Sequence, residues 1–170
     1  MAFEHRYDRN NQALSDRECQ ALSEYKVAVI GCGGLGGYVA EHLARIGVGC
    51  LRLVDADVFE ESNLNRQLFC TEDALGRAKV EVAAERLGKV NSEVQVETLN
   101  TLLTSDNAFD LIDGCQCAVD CLDNVAALPV GPCLSRGGHS RCVRRHRRLV
   151  RPGVHGVSRR RLLRHSLWRS

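Results

Sequence analysis

The residues from Gly31 to Asp55 have the types and spacing that bind a phosphate-bearing ligand. Gly31, Gly33, Gly34 and Gly36 lie between an apolar, β-branched segment and an amphipathic one. A glycine-rich loop between a strand and a helix offers free backbone N–H groups to phosphate oxygens. Asp55 follows a second apolar segment, 19 residues after Gly36, where nucleotide-binding βαβ units carry an acid for the ribose hydroxyls. The pattern predicts a nucleotide site.

The segment after Asp55 bears on which nucleotide is bound. The glycine loop by itself favours NAD or FAD, and an oxidoreductase stays an alternative. Asp57 and the acids and amides of 60–67 surround a single cation, Arg66. A dehydrogenase needs no cation there, whereas a guanidinium forks onto the oxygens of a triphosphate. Arg66 could instead pair with a neighbouring glutamate on the surface.

These residues need a particular arrangement of strands and helices to position them. Alternating strands and helices predict an α/β, Rossmann-like parallel sheet with flanking helices and strand order 3-2-1-4, truncated after about four strands. Its crevice would lie between strands one and four. The predicted strands are 26–31, 50–54, 94–99 and 117–122, and the predicted helices are 15–24, 35–46, 76–89 and 106–111. The first helix begins with a capping box, Ser15 to Glu18.

The chain has two regions of opposite charge. Residues 1–127 contain all 21 acidic residues and only 11 Lys and Arg, whereas residues 128–170 contain 12 Arg and no acidic residue. The second region also lacks helical or strand periodicity and has too little apolar surface to fold alone. We therefore expect a folded domain at 1–127 and a disordered or non-native tail at 128–170.

The chain resembles the ThiF/MoeB/HesA family, the bacterial relatives of ubiquitin-activating enzymes. The resemblance covers residues 5–127, and its motifs occur in the family's order: RYDRN from Arg6, GCGGLGG, DAD, SNLNRQ, GRAK and DCLDN. The chain departs from the family pattern at Asn10, where the family usually has Gln. The resemblance implies ATP-dependent adenylation of the C-terminal glycine of a small ubiquitin-like sulfur carrier, in thiamine or molybdopterin synthesis or a related tRNA-modifying branch.

The resemblance also assigns residues to the nucleoside end of the site. Gly33 and Gly34 would lie under the nucleotide. Asp55 would hold the ribose hydroxyls, with Asp57 beside it. Five further residues complete the expected binding set: Gly31, Gly36, Ser62, Gln67 and Asn124.

At the phosphate end, the resemblance implies that Asn63, Arg66 and Lys79 bind the phosphates and that Asp123 places Mg²⁺. Arg9 would reach the nucleotide of the partner subunit in a homodimer. Arg66, Lys79, Asp123 and Arg9 are thus the expected catalytic set. Because the attacking carboxylate is already ionised at neutral pH, the reaction needs charge neutralisation and positioning rather than a general base. Lys79 could also be only a solvated surface lysine.

The nine cysteines are expected to be reduced. The start of the chain lacks an apolar signal segment and no apolar run reaches membrane length, so we expect a cytoplasmic protein. Cys117 and Cys121 alternate onto one face of the fourth strand, which predicts small buried core residues. Cys32, at the start of a helix, could have an altered pKa. Cys133 and Cys142 lack CxxC partners, and no zinc site is expected.

The tail leaves two interpretations open. Its composition is typical of GC-rich DNA translated in the wrong frame, in which case the chain is a truncated domain that is inactive or nearly so. A genuine basic arm would instead bind nucleic acid. The function alternatives are therefore an adenylyltransferase, a nucleotide-binding module with a nucleic-acid-binding tail, and an oxidoreductase fragment.

Overall fold

A five-stranded parallel sheet forms the centre of the protein. The computed structural model describes residues 5–123 and the backbone of residues 141–144. The strands lie in the order β3-β2-β1-β4-β5, and all neighbours are parallel. The predicted order 3-2-1-4 is confirmed. The strands are β1 (Lys26–Ile30), β2 (Cys50–Val54), β3 (Gln95–Leu99), β4 (Cys117–Asp120) and β5 (Arg141–Arg144).

A fifth strand lies beyond the four that the sequence predicts, while the expected domain boundary at residue 127 stays a prediction. β5 pairs with β4 over four residues, with Cys117 opposite Arg141. Its sequence, RCVR, is too short and too charged to show a strand period. The rest of the expected tail, residues 128–140 and 145–170, lies outside the described residues, as does Asn124.

In the part of the chain that the structure describes, four α-helices connect and cover the strands: α1 (Asp16–Ser23), α2 (Gly36–Ile46), α3 (Lys79–Val90) and α4 (Ala108–Ile112). The capping box of α1 is confirmed, because Ser15 and Glu18 satisfy each other's backbone N–H groups. The predicted start of α3 at residue 76 is wrong. Gly76 has a φ of +78° and Ala78 is extended, so a turn precedes the helix.

The start of α4 also differs from the prediction. Thr104 and Asn107 exchange side-chain-to-backbone hydrogen bonds of 2.8 and 3.4 Å. Residues 104–107 therefore form a polar turn, and the helix begins at Ala108. Threonine and asparagine side chains compete with the helical backbone in this way.

The sheet buries apolar side chains on both faces. Alternate residues of β1 point to opposite sides, so Val27 and Val29 join one core cluster while Ala28 and Ile30 join the other. Helices α2 and α3 cover the first face, and α4 covers the second. Both faces of the central strands are buried, as expected for a parallel sheet between helices. None of the helices in the described part of the chain has the length and apolar composition needed to cross a membrane.

The N-terminal segment His5–Gln12 forms a 3₁₀ helix that packs where α2 and α3 end. Asn91 is buried there, and its Nδ2 donates to the Tyr7 hydroxyl (2.7 Å) and the Ala44 carbonyl (2.8 Å). Its Oδ1 accepts from the Arg6 guanidinium. Asn91 thus fixes the RYDRN motif at the edge of the sheet where the strands begin.

Candidate functional site

A cleft of about 630 Å³ opens at the carboxyl ends of β1, β2 and β4. Ligands of open α/β sheets bind at this edge, where the strand order reverses. The predicted crevice between strands one and four is therefore present. Its lining includes most of the expected site residues: Gly31, Gly33, Gly34, Asp55, Asp57, Arg66, Gln67, Lys79 and Asp123.

The glycines of the loop serve two different purposes. Gly31 has a φ of +90°, and a Cβ on Gly36 would lie 1.7 Å from the Gly31 carbonyl oxygen. These two residues shape the turn and let α2 pack against it. A Cβ on Gly33 would instead meet Gln67 Nε2 at 3.7 Å, and one on Gly34 would meet the Arg66 carbonyl oxygen at 3.8 Å, both ordinary contact distances. Gly33 and Gly34 line the cleft, whereas Gly36 does not.

Asp55 connects the glycine loop to the segment after β2. Its Oδ2 accepts a hydrogen bond from the backbone N–H of Cys32 (2.6 Å), and its Oδ1 accepts from that of Asp57 (2.9 Å). A carboxylate has about four lone-pair sites, so acceptor capacity remains on the side that lines the cleft. Asp55 positions the loop, and its expected bonds to ribose hydroxyls stay a prediction.

Lys79 is a buried cation at the floor of the cleft. Only 8% of its side chain is exposed, and its Nζ lies 2.9 Å from the Asp57 carboxylate, which is 72% exposed. The Lys79 backbone N–H also donates to the Asp57 carbonyl (3.0 Å). The alternative of a solvated surface lysine is therefore wrong. Buried lysines are rare unless paired, and this one presents its charge to the cleft.

Arg66 also lines the cleft and is exposed. Its guanidinium donates to the Ser62 carbonyl (2.6 Å) and to Asn65 Oδ1 (3.0 Å). Among the described residues it forms no ion pair with Glu60 or Glu61. Its charge is thus held at the rim by neutral acceptors and remains uncompensated, which suits an anionic ligand.

Three polar residues around Arg66 differ in their placement. Asn63 is buried, and its Oδ1 accepts from the Glu60 backbone N–H (3.0 Å) while its Nδ2 donates to Ser62 Oγ (3.3 Å). Ser62 and Asn63 thus build the turn and do not line the cleft. Gln67 does line it, and its Oε1 is a buried acceptor without a hydrogen-bond partner in the described part of the chain.

Two acids lie at the end of β4. Asp120 and Asp123 both line the cleft, and Asp120 Oδ1 accepts from the Leu122 backbone N–H (3.1 Å). No cluster of three or more His, Cys, Asp or Glu within the described ranges could hold a metal alone. Mg²⁺ is usually bound by one or two carboxylates together with substrate phosphates. The donors present therefore fit Mg²⁺ that arrives with a nucleotide.

The cysteines near the cleft are structural in character. Burial, reinforced by the nearby Asp55 carboxylate, raises the pKa of the Cys32 thiol far above its usual value, so this thiol is unreactive at neutral pH. Cys117 and Cys121 pack against the core, but both are half-buried rather than fully buried as expected.

Two features of the site were not expected from the sequence. Thr101, Leu102 and Leu103, which follow β3, form an apolar wall of the cleft, and Leu102 is 68% exposed. The sequence signal that could have revealed this wall is the pair of leucines shortly after the predicted strand 94–99. Arg9 is exposed on the N-terminal 3₁₀ helix. That helix packs at the far end of α2, whose 11 residues span about 16 Å, so Arg9 is remote from the cleft of its own chain.

Comparisons with known proteins agree with this architecture. The ThiF family matches residues 7–130. The adenylyltransferase and sulfurtransferase MOCS3 of Danio rerio is 44% identical over 105 residues, 62% of this chain and 23% of that protein. The molybdopterin-synthase adenylyltransferase of Salmonella typhimurium is 38% identical over 107 residues, 63% of this chain and 43% of the relative. The tRNA threonylcarbamoyladenosine dehydratase of Escherichia coli is 33% identical over 125 residues, 73% and 47% of the two chains.

Solved structures show the same fold. The E. coli dehydratase TcdA in complex with ATP superposes with a TM-score of 0.69 at 32% identity, covering 72% of this chain and 51% of that one. E. coli MccB with AMPCPP gives a TM-score of 0.64 at 32% identity, covering 70% and 37%. The chain thus spans between 23% and 51% of the length of these relatives. The family match and the shared Rossmann-like sheet show that this protein belongs to the ThiF family.

Proposed function

We propose that this protein binds ATP in the cleft and adenylates the C-terminal glycine carboxylate of a small ubiquitin-like sulfur carrier. The observation that carries the proposal is the buried Lys79 side chain, which lines the same cleft as the glycine loop. Arg66, which also lines the cleft, adds a second positive charge. Two cations around a cleft with an open glycine loop suit a polyphosphate, and no step of a hydride transfer needs them.

In the proposed reaction, different residues of the cleft bind the nucleotide, neutralise phosphate charge and hold the metal. The nucleotide lies on Gly33 and Gly34, with its ribose hydroxyls on Asp55. The carrier carboxylate attacks the α-phosphorus, the bond from that phosphorus to the bridging oxygen breaks, and pyrophosphate leaves. Arg66 and Lys79 neutralise the phosphate charge that develops on the leaving group. Asp123 would hold Mg²⁺, which would supply further positive charge to the phosphates.

The relatives support this assignment and favour one type of carrier. One relative is named a molybdopterin-synthase adenylyltransferase, and the fold matches a dehydratase structure that contains ATP. A molybdopterin-type carrier is therefore favoured over a thiamine-type one. The chain spans at most about half the length of these relatives. ATP binding, which uses the described residues, is the part to test first.

Arg66→Ala is expected to weaken ATP binding about tenfold, the usual effect of one charge-assisted hydrogen bond. The side chain is exposed and bonds only to groups of its own turn, so the thermal midpoint should change little. Isothermal titration with ATP and Mg²⁺ measures the affinity. Equal affinity in wild type and variant would remove Arg66 from the site. Arg17→Ala, an exposed change on α1, provides the control.

We also propose a homodimer in which Arg9 contacts the phosphates bound to the second copy. Its distance from the cleft of its own chain supports a role across subunits. The expected result is that ATP affinity rises with protein concentration in wild type and stays constant in Arg9→Ala. Titrations over a wide range of protein concentration, with sedimentation to follow the dimer, measure this. The proposal would be contradicted if the ATP affinity of the wild type did not change as the protein dimerises.

Carrier-dependent exchange of pyrophosphate into ATP tests the whole reaction. A small carrier ending in Gly-Gly should support exchange, and the same carrier lacking that terminus should not. A second candidate is activation of a carboxylate on a modified tRNA, favoured by the dehydratase relative, whose match covers 73% of this chain. Exchange with tRNA bearing threonylcarbamoyladenosine and none with any carrier would select this second function.

A further inference from the structure

The N-terminal segment His5–Gln12 is too polar to be held against the domain by apolar packing. None of its residues is buried, so the hydrophobic effect contributes little to its order. Fixing a chain segment also costs backbone conformational entropy. Specific polar contacts must offset that cost, and the structure shows them at the ends of α2 and α3.

Asn91, directly after α3, is the centre of these contacts. It is 2% exposed, and all four hydrogen-bonding positions of its amide are occupied. Its Nδ2 donates to the Tyr7 hydroxyl (2.7 Å) and the Ala44 carbonyl (2.8 Å). Its Oδ1 accepts from the Arg6 guanidinium and from the Glu93 backbone N–H (3.2 Å). Half of its bonds therefore go to the N-terminal segment.

The end of α2 holds the same segment at two further points. Asn10 Nδ2 donates to the Ile46 carbonyl (3.2 Å), in the last turn of the helix. The Tyr7 ring packs on Gly47, where a Cβ would lie 2.9 Å from the nearest ring carbon. Tyr7 and Asn10 are half-buried, whereas Arg9 is exposed. The segment is thus fixed through Tyr7 and Asn10, and Arg9 stays accessible to another molecule.

The two helices that hold the segment also begin at the cleft. Helix α2 starts after the glycine loop and α3 starts at Lys79. Their 11 and 12 residues span about 16 and 18 Å. The cleft and Arg9 are therefore fixed at opposite ends of the same two rigid elements. A side chain presented on such a support loses less conformational entropy on making a contact than one on a loose terminus.

We propose that Asn91 is a positioning residue for Arg9. Its bonds to Arg6 and Tyr7 hold the N-terminal segment in the conformation in which Arg9 reaches the phosphates bound to the second copy. This inference rests on the proposed ATP site and homodimer. Asn91 does not line the cleft and lies at the other end of α3 from Lys79, so its effect on ATP binding should act entirely through Arg9.

The test measures ATP affinity for Asn91→Ala and Tyr7→Phe, each alone and combined with Arg9→Ala. Full-length protein is titrated calorimetrically at a concentration where sedimentation shows the dimer. Arg9→Ala should weaken ATP binding about tenfold. Asn91→Ala should approach that loss and add nothing to it in the double variant.

Tyr7→Phe keeps the ring on Gly47 and removes only the hydroxyl that bonds to Asn91. It should give a smaller loss of ATP affinity, which also disappears in the Arg9→Ala background. This variant keeps the test valid should Asn91→Ala fold poorly. Asn11→Ala, an exposed change on the same segment, is the control and should bind ATP as wild type does.

Four results would overturn the inference. Wild-type ATP affinity in both Asn91→Ala and Tyr7→Phe would show that Arg9 does not depend on these bonds. Losses that add to that of Arg9→Ala would show that Asn91 supports the fold of the cleft instead. Wild-type affinity in Arg9→Ala would overturn the contact across subunits together with this inference. Wild-type protein that binds no ATP would overturn the proposed function itself, which separates that failure from the other three.

Discussion

Gly36→Ala is expected to lower the free energy of unfolding by more than about 3 kcal/mol, beyond the usual range for overpacking. The added Cβ would lie 1.7 Å from the Gly31 carbonyl oxygen, and both groups belong to rigid backbone. Either α2 must move off β1 or the loop must change shape. Both outcomes distort Gly33 and Gly34, so ATP should no longer raise the melting temperature.

Urea denaturation of wild type and variant measures the stability change. Gly88→Ala is a matched control, because Gly88 lies within α3 and a Cβ there meets no atom within 4 Å. That control should stabilise the protein by about 0.5–1 kcal/mol, the helical advantage of alanine over glycine. If Gly36→Ala and wild type unfold at the same urea concentration, Gly36 does not pack against the Gly31 carbonyl as described.

Lys79→Met is expected to weaken ATP binding about 100-fold, the upper range for a charged hydrogen bond, and to leave adenosine affinity unchanged. Its effect on stability should be below about 1 kcal/mol, because the Asp57 carboxylate left behind is 72% exposed. Asp57→Ala should do the opposite. It leaves a buried ammonium unpaired and should cost about 2–3 kcal/mol of unfolding free energy.

Calorimetric titration and urea denaturation of both variants test this asymmetry. Lys89→Met, an exposed change in the last turn of α3, controls for loss of a lysine. If Lys79→Met destabilises the protein more than Asp57→Ala while ATP affinity is retained, the ion pair is structural and Lys79 does not bind phosphate.

The sequence predicted the site best where the signal was local. The glycine spacing and Asp55 identified the cleft because a strand–loop–helix unit is encoded within about 30 residues. The burial of Lys79 was beyond the sequence, because it depends on a bridge between Val58 and Ala78 that brings Asp57 beside the start of α3. Asn63 is part of the SNLNRQ motif and was expected to bind phosphate. Its side-chain amide instead accepts a hydrogen bond from Glu60 within its own turn.

The fifth strand and the apolar wall were missed for a different reason. β5 gains its hydrogen bonds from β4 and has no period of its own, so only the sheet edge specifies it. Leu102 and Leu103 follow β3 without regular structure, and their role appears only when the ends of neighbouring strands meet. Both are properties of the assembled sheet rather than of any segment.

The pairing of β1 with β4 determines when the cleft forms during folding. The Lys26 backbone N–H donates to the side chain of Gln116, 90 positions further along the chain, whereas β1–β2 and β2–β3 are joined through single crossovers. Closing the longer loop costs more entropy and belongs late in folding. The cleft lies over this junction, so it exists only once β1 and β4 have paired. A ligand that recognises the finished cleft should therefore slow unfolding and leave the folding rate unchanged.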